Sequence, residues 1–408
     1  MTRSTIKAPP SFWPLLAILF FCSAGSYVQM KIPQTVLVSL IIAAIMFFKL
    51  NCKIDRSALV FVSIFLMSYF LGVIVSIFSA TLDILSFINL ISSLGIFVIV
   101  ASYVVECLSR NPRRLAGTIE LVLIFYFFFS LLEILQYEAI YEFRNLIHGK
   151  ELFPHNVRDV RLYGLERPTG LFSEPSNFGR VIGLLIALHV VTGYSKVRSV
   201  AWFIVFALLI RSPMIMYSAP VLLLSLVSSA GSREVKRSKK ISKRALLGIL
   251  GLTISFSLIV YSQMPRILAM LSGDDGSFIG RIGLPILYMF SEWQDVIFGS
   301  GPTPLNNIDA FINDIWITNR PWLVGEDFRI AVAPSVVTVI GMGLIGTILF
   351  VVLVSYSLGA LWVLLYFYCN FFANGVNGPS MLVPLAVIFG MYLSYTRSKA
   401  LTKIGPYE

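Results

Sequence analysis

The sequence predicts an all-α polytopic membrane protein with about twelve transmembrane helices and two large extracytoplasmic loops. Its apolar composition, its helix-length apolar runs and the uneven placement of its charges support this fold class. Hydrophobic residues make up 57% of the 408 residues, and charged residues make up 13%, about half the share in an ordinary soluble domain. The mean hydropathy is +0.83. A soluble core does not grow large enough to bury this much apolar surface, so lipid is expected to solvate it.

A helix needs about 20 apolar residues to cross the hydrocarbon core of a bilayer, with roughly 17 as the lower limit. Twelve candidate runs lie at 12–29, 34–50, 58–80, 84–106, 115–136, 177–194, 199–212, 214–230, 246–263, 334–356, 358–372 and 381–396. The stretch 199–230 is divided between Ser212 and Pro213 because proline disfavours helix in the residue that precedes it. The first run has no convincing cleavage site, so we expect it to remain as a span.

Lysine and arginine in the connections predict the direction of each span, because cytoplasmic loops carry an excess of these residues. The loop 231–245 holds seven of them and is therefore expected to be cytoplasmic. Alternating the spans outward from this loop puts both termini in the cytoplasm and 20 of the 32 basic residues on that side. The chain is then one transmembrane domain in which 137–176 and 264–333 form the large outer loops.

The acidic residues lie on the opposite side, since the two outer loops hold 14 of the 21 aspartates and glutamates. The net charge of +11 therefore indicates topology and attraction to anionic lipid headgroups. Nucleic-acid binding is disfavoured because the basic loop has no interleaved aromatic residues. No nucleotide-binding signature occurs, and the cysteines and histidines lack metal-ligand spacing, so we expect no metal and no cofactor.

The first outer loop ends in a dense polar segment at 161–180. It contains Arg161, Arg167, Arg180, Glu166 and Glu174, together with Gly164, Gly170 and Gly179, which permit tight turns or close backbone approach. Arginine presents a planar fork that grips phosphate oxygens in pairs. The following helix, with Ser176 or Asn177 as its expected cap, would turn its N-terminus toward an anion. The alternative is a loop whose arginines only contact lipid headgroups.

The second outer loop has two parts. Residues 281–298 are amphipathic and are expected to form a surface helix that ends at 299–302, which reads GSGP. A polar stretch follows that contains Asp309, Asp314, Arg320, Glu326, Asp327 and Arg329. This loop is predicted to be a lid, either over a lipid-linked substrate or simply on the membrane surface.

Arg180 and Arg211 lie at the predicted outer ends of spans. Ionisable groups at membrane depth are costly unless they are paired or hydrated, so both arginines are functional candidates. Snorkelling of the side chains to the interface is the alternative. Glu133, near another outer helix end, is expected either to be interfacial or to pair with one of these arginines.

Two segments carry a resemblance to a known family. The segment 167–179 reads RPTGLFSEPSNFG, and the segment 280–301 contains Arg281, Trp293 and the glycines of 299–301. The first is similar to the pattern R-x-x-G-x-F-x-E-P-S of the O-antigen polymerase (Wzy-type) family, and the second to that family's R…W…G-x-G. The glycines of 341–346, which reads GMGLIG, and the basic loop also fit. The resemblance is anchored in about 50 residues, while the topology matches along the chain.

This resemblance implies a GT-C-like glycosyltransferase in the bacterial inner membrane that uses sugar chains carried on undecaprenyl pyrophosphate. Such an enzyme moves the growing chain onto the next lipid-linked repeat unit at the outer face. The resemblance also implies that Arg167 and Arg281 hold the anionic carriers. Membrane lipids and a chain-length regulator protein are the further candidate partners.

A lipid pyrophosphate leaving group places developing charge on phosphate oxygens, which fixed arginines stabilise without a metal. The acceptor hydroxyl needs a base, most simply a carboxylate within hydrogen-bond reach. Glu174 is the first candidate, with Asp309, Asp314, Glu326 and Asp327 behind it; alternatively, Glu174 pairs with an arginine to shape the loop. The predicted site therefore consists of Glu174, Arg167 and Arg281 as catalytic residues, with Arg161, Arg180, Arg211, Arg320, Arg329, Asp309 and Asp314 binding the substrate or its pyrophosphate.

Two alternative functions are compatible with the sequence. The related O-antigen ligases carry a histidine just before the span that follows the large loop, where this chain has Ala333, Pro334 and Ser335, and this difference favours the polymerase. A lipid-linked oligosaccharide flippase or other transporter also suits twelve spans. Transporters, however, place polar groups at broken helices near the midplane, whereas the polarity of this chain is concentrated in its outer loops.

Overall fold

The structure, a computed structural model, describes most of the predicted helical regions. The described residues are 13–23, 34–51, 53–79, 84–110, 112–135, 138–148, 167–172, 175–192, 195–212, 283–301, 334–357 and 386–394, with the single positions 215, 218, 219, 222, 223, 250, 253, 257, 261, 264, 268, 311 and 383. Within these residues the regular structure is entirely helical and no strand occurs. The all-α prediction is confirmed for this part of the chain.

Eleven helices have defined bounds within the described residues. They are α1 (Trp13–Ser23), α2 (Gln34–Lys49), α3 (Arg56–Phe78), α4 (Ile84–Arg110), α5 (Pro112–Ile134), α6 (Glu138–His148), α7 (Pro175–Val191), α8 (Lys196–Ile210), α9 (Leu284–Ser291), α10 (Trp293–Phe298) and α11 (Pro334–Ser357). Residues 386–394 are helical as well.

The predicted apolar runs coincide with helices wherever both are described. The seven runs from 12–29 to 199–212 fall on α1–α5, α7 and α8, and the run 334–356 falls on α11. Three helical stretches are long and apolar enough to cross a membrane, namely Arg56–Phe78, Leu90–Leu108 and Arg114–Ile134. Val38–Lys49, Phe178–Val190 and Val339–Leu353 are apolar but shorter. The runs 214–230, 246–263, 358–372 and 381–396 lie wholly or partly outside the described residues, so the number of spans stays a prediction.

Local signals explain where several helices begin and end. Asp55 caps α3 by accepting a hydrogen bond from the Ser57 backbone N–H at 2.9 Å. Its own N–H donates to the Ser102 hydroxyl at 2.9 Å and so ties the start of α3 to α4. Helix α8 ends at Ile210, and Arg211 adopts the left-handed conformation common after a helix C-terminus. This end lies just before Pro213, where a break was predicted.

Two local features differ from the sequence-based expectations. Helix α6 lies inside the first predicted outer loop, where no helix was expected. The expected cap at Ser176 or Asn177 is wrong because α7 already begins at Pro175. Proline suits the first helical turn, since the missing N–H has no intrahelical acceptor there and its φ is already close to helical.

The core contains a cluster of aromatic rings from α3, α4, α11 and residues 386–394. Phe61 packs against Phe97 at 5.0 Å and against Phe389 at 4.8 Å between ring centroids. Phe65 meets the edge of Phe350 at 5.3 Å. The opposite face of α3 exposes large apolar side chains, including Met67 (66%), Phe70 (55%) and Phe78 (87%). Buried rings on one face and exposed apolar groups on the other fit a helix between protein and lipid.

Candidate functional site

The predicted arginine-rich segment is folded into the protein where it is described. All six residues of 167–172, which precede α7, are buried, and Arg167 is only 7% exposed. A buried connecting segment must satisfy its backbone polar groups within the protein. The contacts of its two ends show how this is achieved.

The C-terminal end of this segment is held by apolar packing. Leu171 is fully buried, and the Phe172 ring lies 5.5 Å from Tyr126 of α5 and 5.4 Å from Phe178 of α7. Phe178 in turn packs on Tyr126 at 5.8 Å. These rings fix the segment against α5 and α7.

The polar part of the segment, at Thr169 and Gly170, is held by Glu133, which lies at the end of α5. Its Oε2 accepts hydrogen bonds from the backbone N–H groups of Thr169 at 2.8 Å and Gly170 at 2.7 Å. Its Oε1 accepts from the Thr169 hydroxyl at 2.8 Å and from Arg144 Nη1 at 3.4 Å. Successive backbone N–H groups of this kind form a concave anion-binding nest, and here the anion is a carboxylate of the protein itself.

Gly170 makes this geometry possible. Its φ of +57° lies in the left-handed region that disfavours other residues, and an added Cβ would lie 3.3 Å from the Phe178 ring. Gly179 has a different role: an added Cβ would lie 2.9 Å from the Ser212 hydroxyl, so α7 and the end of α8 approach closely there. The predicted need for glycine is confirmed at both positions, while Gly164 lies outside the described residues.

Arg144 of α6 completes the cluster. Its Nη1 donates to the Thr169 hydroxyl at 2.6 Å as well as to Glu133, and the side chain is only 2% exposed. Helix α6 is held against α5 by the stacked rings of Phe129 and Phe143, with centroids 6.0 Å apart. The expectation that Glu133 pairs with Arg180 or Arg211 is therefore wrong, because its ion-pair partner among the described residues is Arg144. Its alternative placement at the membrane interface stays a prediction, and within the protein the residue is 4% exposed.

Arg144 and Thr169 are the residues of this cluster that sequence reasoning missed. One signal was present, because Arg144 lies four residues after Ile140 on an amphipathic helix and therefore shares the face that Ile140 buries. The sequence alone gave no indication that this face turns back toward Glu133.

The other predicted site residues are only partly described. Arg180 lies in the second turn of α7 and is half-buried, and Arg211 is exposed, with its Nε donating to the Leu208 carbonyl at 3.4 Å. Seven further predicted site residues lie outside the described residues: Glu174, Arg281, Arg161, Arg320, Arg329, Asp309 and Asp314. The convergence of Arg167 with Arg281 therefore stays a prediction.

The two glycine segments quoted for the family resemblance meet in space. Helix α11 is interrupted at Gly343, where φ is +74° and ψ is 167°. The carbonyls of Ile340 and Gly341, just before this break, accept hydrogen bonds from the backbone N–H groups of Ser300 and Gly301, each at 3.0 Å. The Ser300 carbonyl accepts a hydrogen bond from the Ser76 hydroxyl of α3. The turn after α10 is thus inserted between α3 and the broken part of α11.

A second polar cluster lies toward the opposite end of α5. Arg198 of α8 forms an ion pair with Glu120 at 3.1 Å, and the arginine side chain is 56% exposed. His189 is fully buried, and its Nδ1 lies 2.7 Å from the Ser199 hydroxyl. Glu120 and Glu133 are thirteen residues apart on one helix, or about 20 Å at the usual rise of an α-helix. The described residues contain no group of three or more histidine, cysteine or acidic side chains placed to hold a metal ion.

Comparison with known proteins gives no relative. No family model matches the chain. No curated protein and no solved structure matches it either. The function of the site is therefore argued from its own residues and their geometry.

Proposed function

We propose that this protein is a glycosyltransferase that polymerises undecaprenyl-pyrophosphate-linked oligosaccharide repeat units into O-antigen or a related surface polysaccharide. The burial of Arg167 in a segment held at the end of an apolar helix is the observation that carries the proposal. Arg167 lies two residues before Thr169, which the buried Glu133–Arg144 pair contacts, and a buried arginine at such a position can stabilise an anionic group. The motif 167–179 of the sequence resemblance includes this segment.

The proposed reaction needs few groups from the protein. A hydroxyl oxygen of the acceptor unit forms a bond to the anomeric carbon of the growing chain, and the bond from that carbon to the phosphate oxygen breaks. The proton of the hydroxyl passes to a carboxylate, for which Glu174 is the first candidate. Undecaprenyl pyrophosphate leaves, and Arg167 and Arg281 neutralise the charge that develops on its oxygens.

The proposed location is the periplasmic face of the inner membrane, with about twelve spans and both termini in the cytoplasm. Two features of α5 support this orientation. Its C-terminal end adjoins the acid-rich 137–176 connection and the Glu133–Arg144 pair, which would face the periplasm. Its N-terminal part adjoins Arg198 and the basic connection after 109, which would face the cytoplasm.

The polysaccharide ladder of a deletion strain tests the proposal. Complementation with the wild-type gene should restore long chains, whereas Arg167→Ala, Arg281→Ala and Glu174→Gln should leave single-repeat lipopolysaccharide at normal protein levels. Arg198→Ala is the matched control, because it removes an exposed arginine at the other end of α5, and it should restore the ladder. Normal chain lengths in both Arg167→Ala and Arg281→Ala would refute the site assignment.

The same strain separates the alternatives. Bare lipid A core with polymer stranded on its carrier would indicate a ligase, and repeat units accumulating on the inner leaflet would indicate a transporter. Among the described residues, the break of α11 at Gly343 is an observation that favours a transporter, because transporters bind substrates at broken helices. The Ile340 and Gly341 carbonyls beside this break accept backbone N–H groups of the protein itself, which argues for a packing role instead.

A further inference from the structure

The guanidinium group of Arg144 is buried but only partly used. Both of its hydrogen bonds leave from Nη1, at 2.6 Å to Thr169 and 3.4 Å to Glu133. Its Nε is buried and has no hydrogen-bond partner among the described residues. Arginine carries five N–H donors in a planar fork, and two donors on one edge match the spacing of two phosphate or carboxylate oxygens.

The charge of Arg144 is only partly balanced by Glu133. That carboxylate already accepts two backbone N–H groups and the Thr169 hydroxyl, all within 2.8 Å. Its contact with Arg144 is the longest of the four. A buried arginine that receives a carboxylate's weakest contact keeps an attraction for a further anion.

The orientation of this guanidinium is fixed. The Tyr141 ring lies under it, with 5.1 Å from the ring centroid to Cζ, and the two bonds from Nη1 set its rotation. A buried donor without a partner destabilises the folded protein, because the hydrogen bond that it made to water is not replaced. Native structures rarely retain such a donor unless it has a functional role or holds a water or ion.

We propose that Arg144 binds phosphate oxygens of the lipid-linked diphosphate through the edge of its guanidinium that carries Nε. The identity of this anion as a diphosphate rests on the proposed function, whereas the geometry itself calls for an anion that presents two oxygens, such as a phosphate or a carboxylate. Glu133 and Thr169 act as positioning residues that hold the guanidinium through Nη1 and leave the other edge for the ligand. Arg144 thereby joins Arg167, which lies two residues before Thr169 in the same buried segment.

Binding of inorganic pyrophosphate to the full-length protein in phosphatidylcholine nanodiscs, measured by isothermal titration calorimetry, tests this inference. Arg144→Lys keeps the charge and a donor toward Glu133 but removes the planar edge. It should weaken pyrophosphate binding by about tenfold or more, since a charge-assisted bond to a fixed fork is lost. Arg198→Lys, the same change at an exposed pair, should alter binding less than about twofold. Wild-type affinity in Arg144→Lys would overturn the inference.

The double variant Glu133→Gln/Arg144→Gln covers the case in which the single variant does not fold, because it removes both buried charges together. It should also lose pyrophosphate binding, and retained binding would overturn the inference. Repeating the titration in phosphatidylglycerol nanodiscs separates the possible sources of phosphate. Equal affinity of the wild-type protein for pyrophosphate in both lipids supports a diphosphate ligand. If phosphatidylglycerol weakens pyrophosphate binding by the wild-type protein but not by Arg144→Lys, the site binds lipid headgroups, and the diphosphate assignment is overturned.

The outcomes also separate this inference from the proposed function. A deletion strain without long chains, together with unimpaired pyrophosphate binding by Arg144→Lys, would refute the role of Arg144 and leave the polymerase proposal intact. A deletion strain with a normal ladder, together with lost binding in Arg144→Lys, would refute the polymerase proposal and leave Arg144 as an anion-binding residue.

Discussion

Replacing Glu133 by alanine is expected to destabilise the protein far more than replacing Glu120, although both glutamates lie on α5 and both pair with an arginine. The two pairs differ in burial. The side chains of Arg144 and Glu133 are 2% and 3% exposed, whereas those of Arg198 and Glu120 are 56% and 18% exposed. The comparison therefore sets a buried pair against a largely exposed pair within a single helix.

The expected magnitude follows from the contacts. Removing one partner of a buried ion pair costs about 3–5 kcal/mol, because the remaining charge stays buried. Glu133→Ala also deprives the Thr169 and Gly170 N–H groups of their acceptor, and each buried orphan donor costs roughly 1–3 kcal/mol where water cannot reach it. These costs overlap, so the expected loss is about 4 kcal/mol or more. Glu120→Ala breaks a partly exposed pair and should cost about 1 kcal/mol or less.

The assay is unfolding of the purified protein by SDS titration in mixed micelles, followed by far-UV circular dichroism. Glu133→Gln is a useful third variant, because its amide oxygen still accepts backbone N–H groups while the negative charge is lost. Its cost should fall between those of the two alanine variants. Equal costs for Glu133→Ala and Glu120→Ala would refute the view that the buried cluster holds segment 167–172 in place.

Three further outcomes are expected. Gly343→Ala should strongly reduce the yield of folded protein in size-exclusion chromatography, because φ is +74° and the added Cβ would lie 2.6 Å from a backbone nitrogen. Gly117→Ala is the control and should not reduce the yield, because its added Cβ meets open space. Equal yields of the two variants would contradict the packing described. Gly170→Ala should cost about 1–2 kcal/mol in the SDS titration from its left-handed φ of +57°, and no loss would show that the turn can rearrange. In a cysteine-free chain, Glu138→Cys should react with an impermeant maleimide from the periplasm, whereas Val197→Cys should react only after the inner membrane is opened. Labelling of both cysteines from the same side of the membrane would contradict the topology.

The helices could be predicted from the sequence because their signal is local. In lipid, an apolar run as long as a membrane span satisfies all of its backbone hydrogen-bonding groups within itself only as a helix. The runs 58–80 and 84–106 therefore correspond to α3 and α4 within a few residues. Proline likewise indicated the end of α8 before Pro213. Helix α6 escaped prediction because it is short and its polarity resembles that of the surrounding connection.

The contacts within the site could not be predicted because they are not local. Position along the spans alone predicts Glu133 either at the membrane interface or near Arg180 or Arg211, and only the folding back of α6 brings Arg144 to it. The insertion of Ser300 and Gly301 beside Gly341 joins segments about forty residues apart, and a glycine pattern does not specify its partner. The burial of segment 167–172 could not be predicted either, since its composition is that of an exposed loop.

Proteoliposomes that contain only the purified protein and a synthetic undecaprenyl-pyrophosphate-linked repeat unit test the central claim most directly. The wild-type protein is expected to form polymer and to release undecaprenyl pyrophosphate in equal measure with the new linkages, without added nucleotide, and Arg167→Ala is expected to form none. Movement of the lipid-linked unit between leaflets without polymer, or equal polymer from Arg167→Ala, would contradict the account.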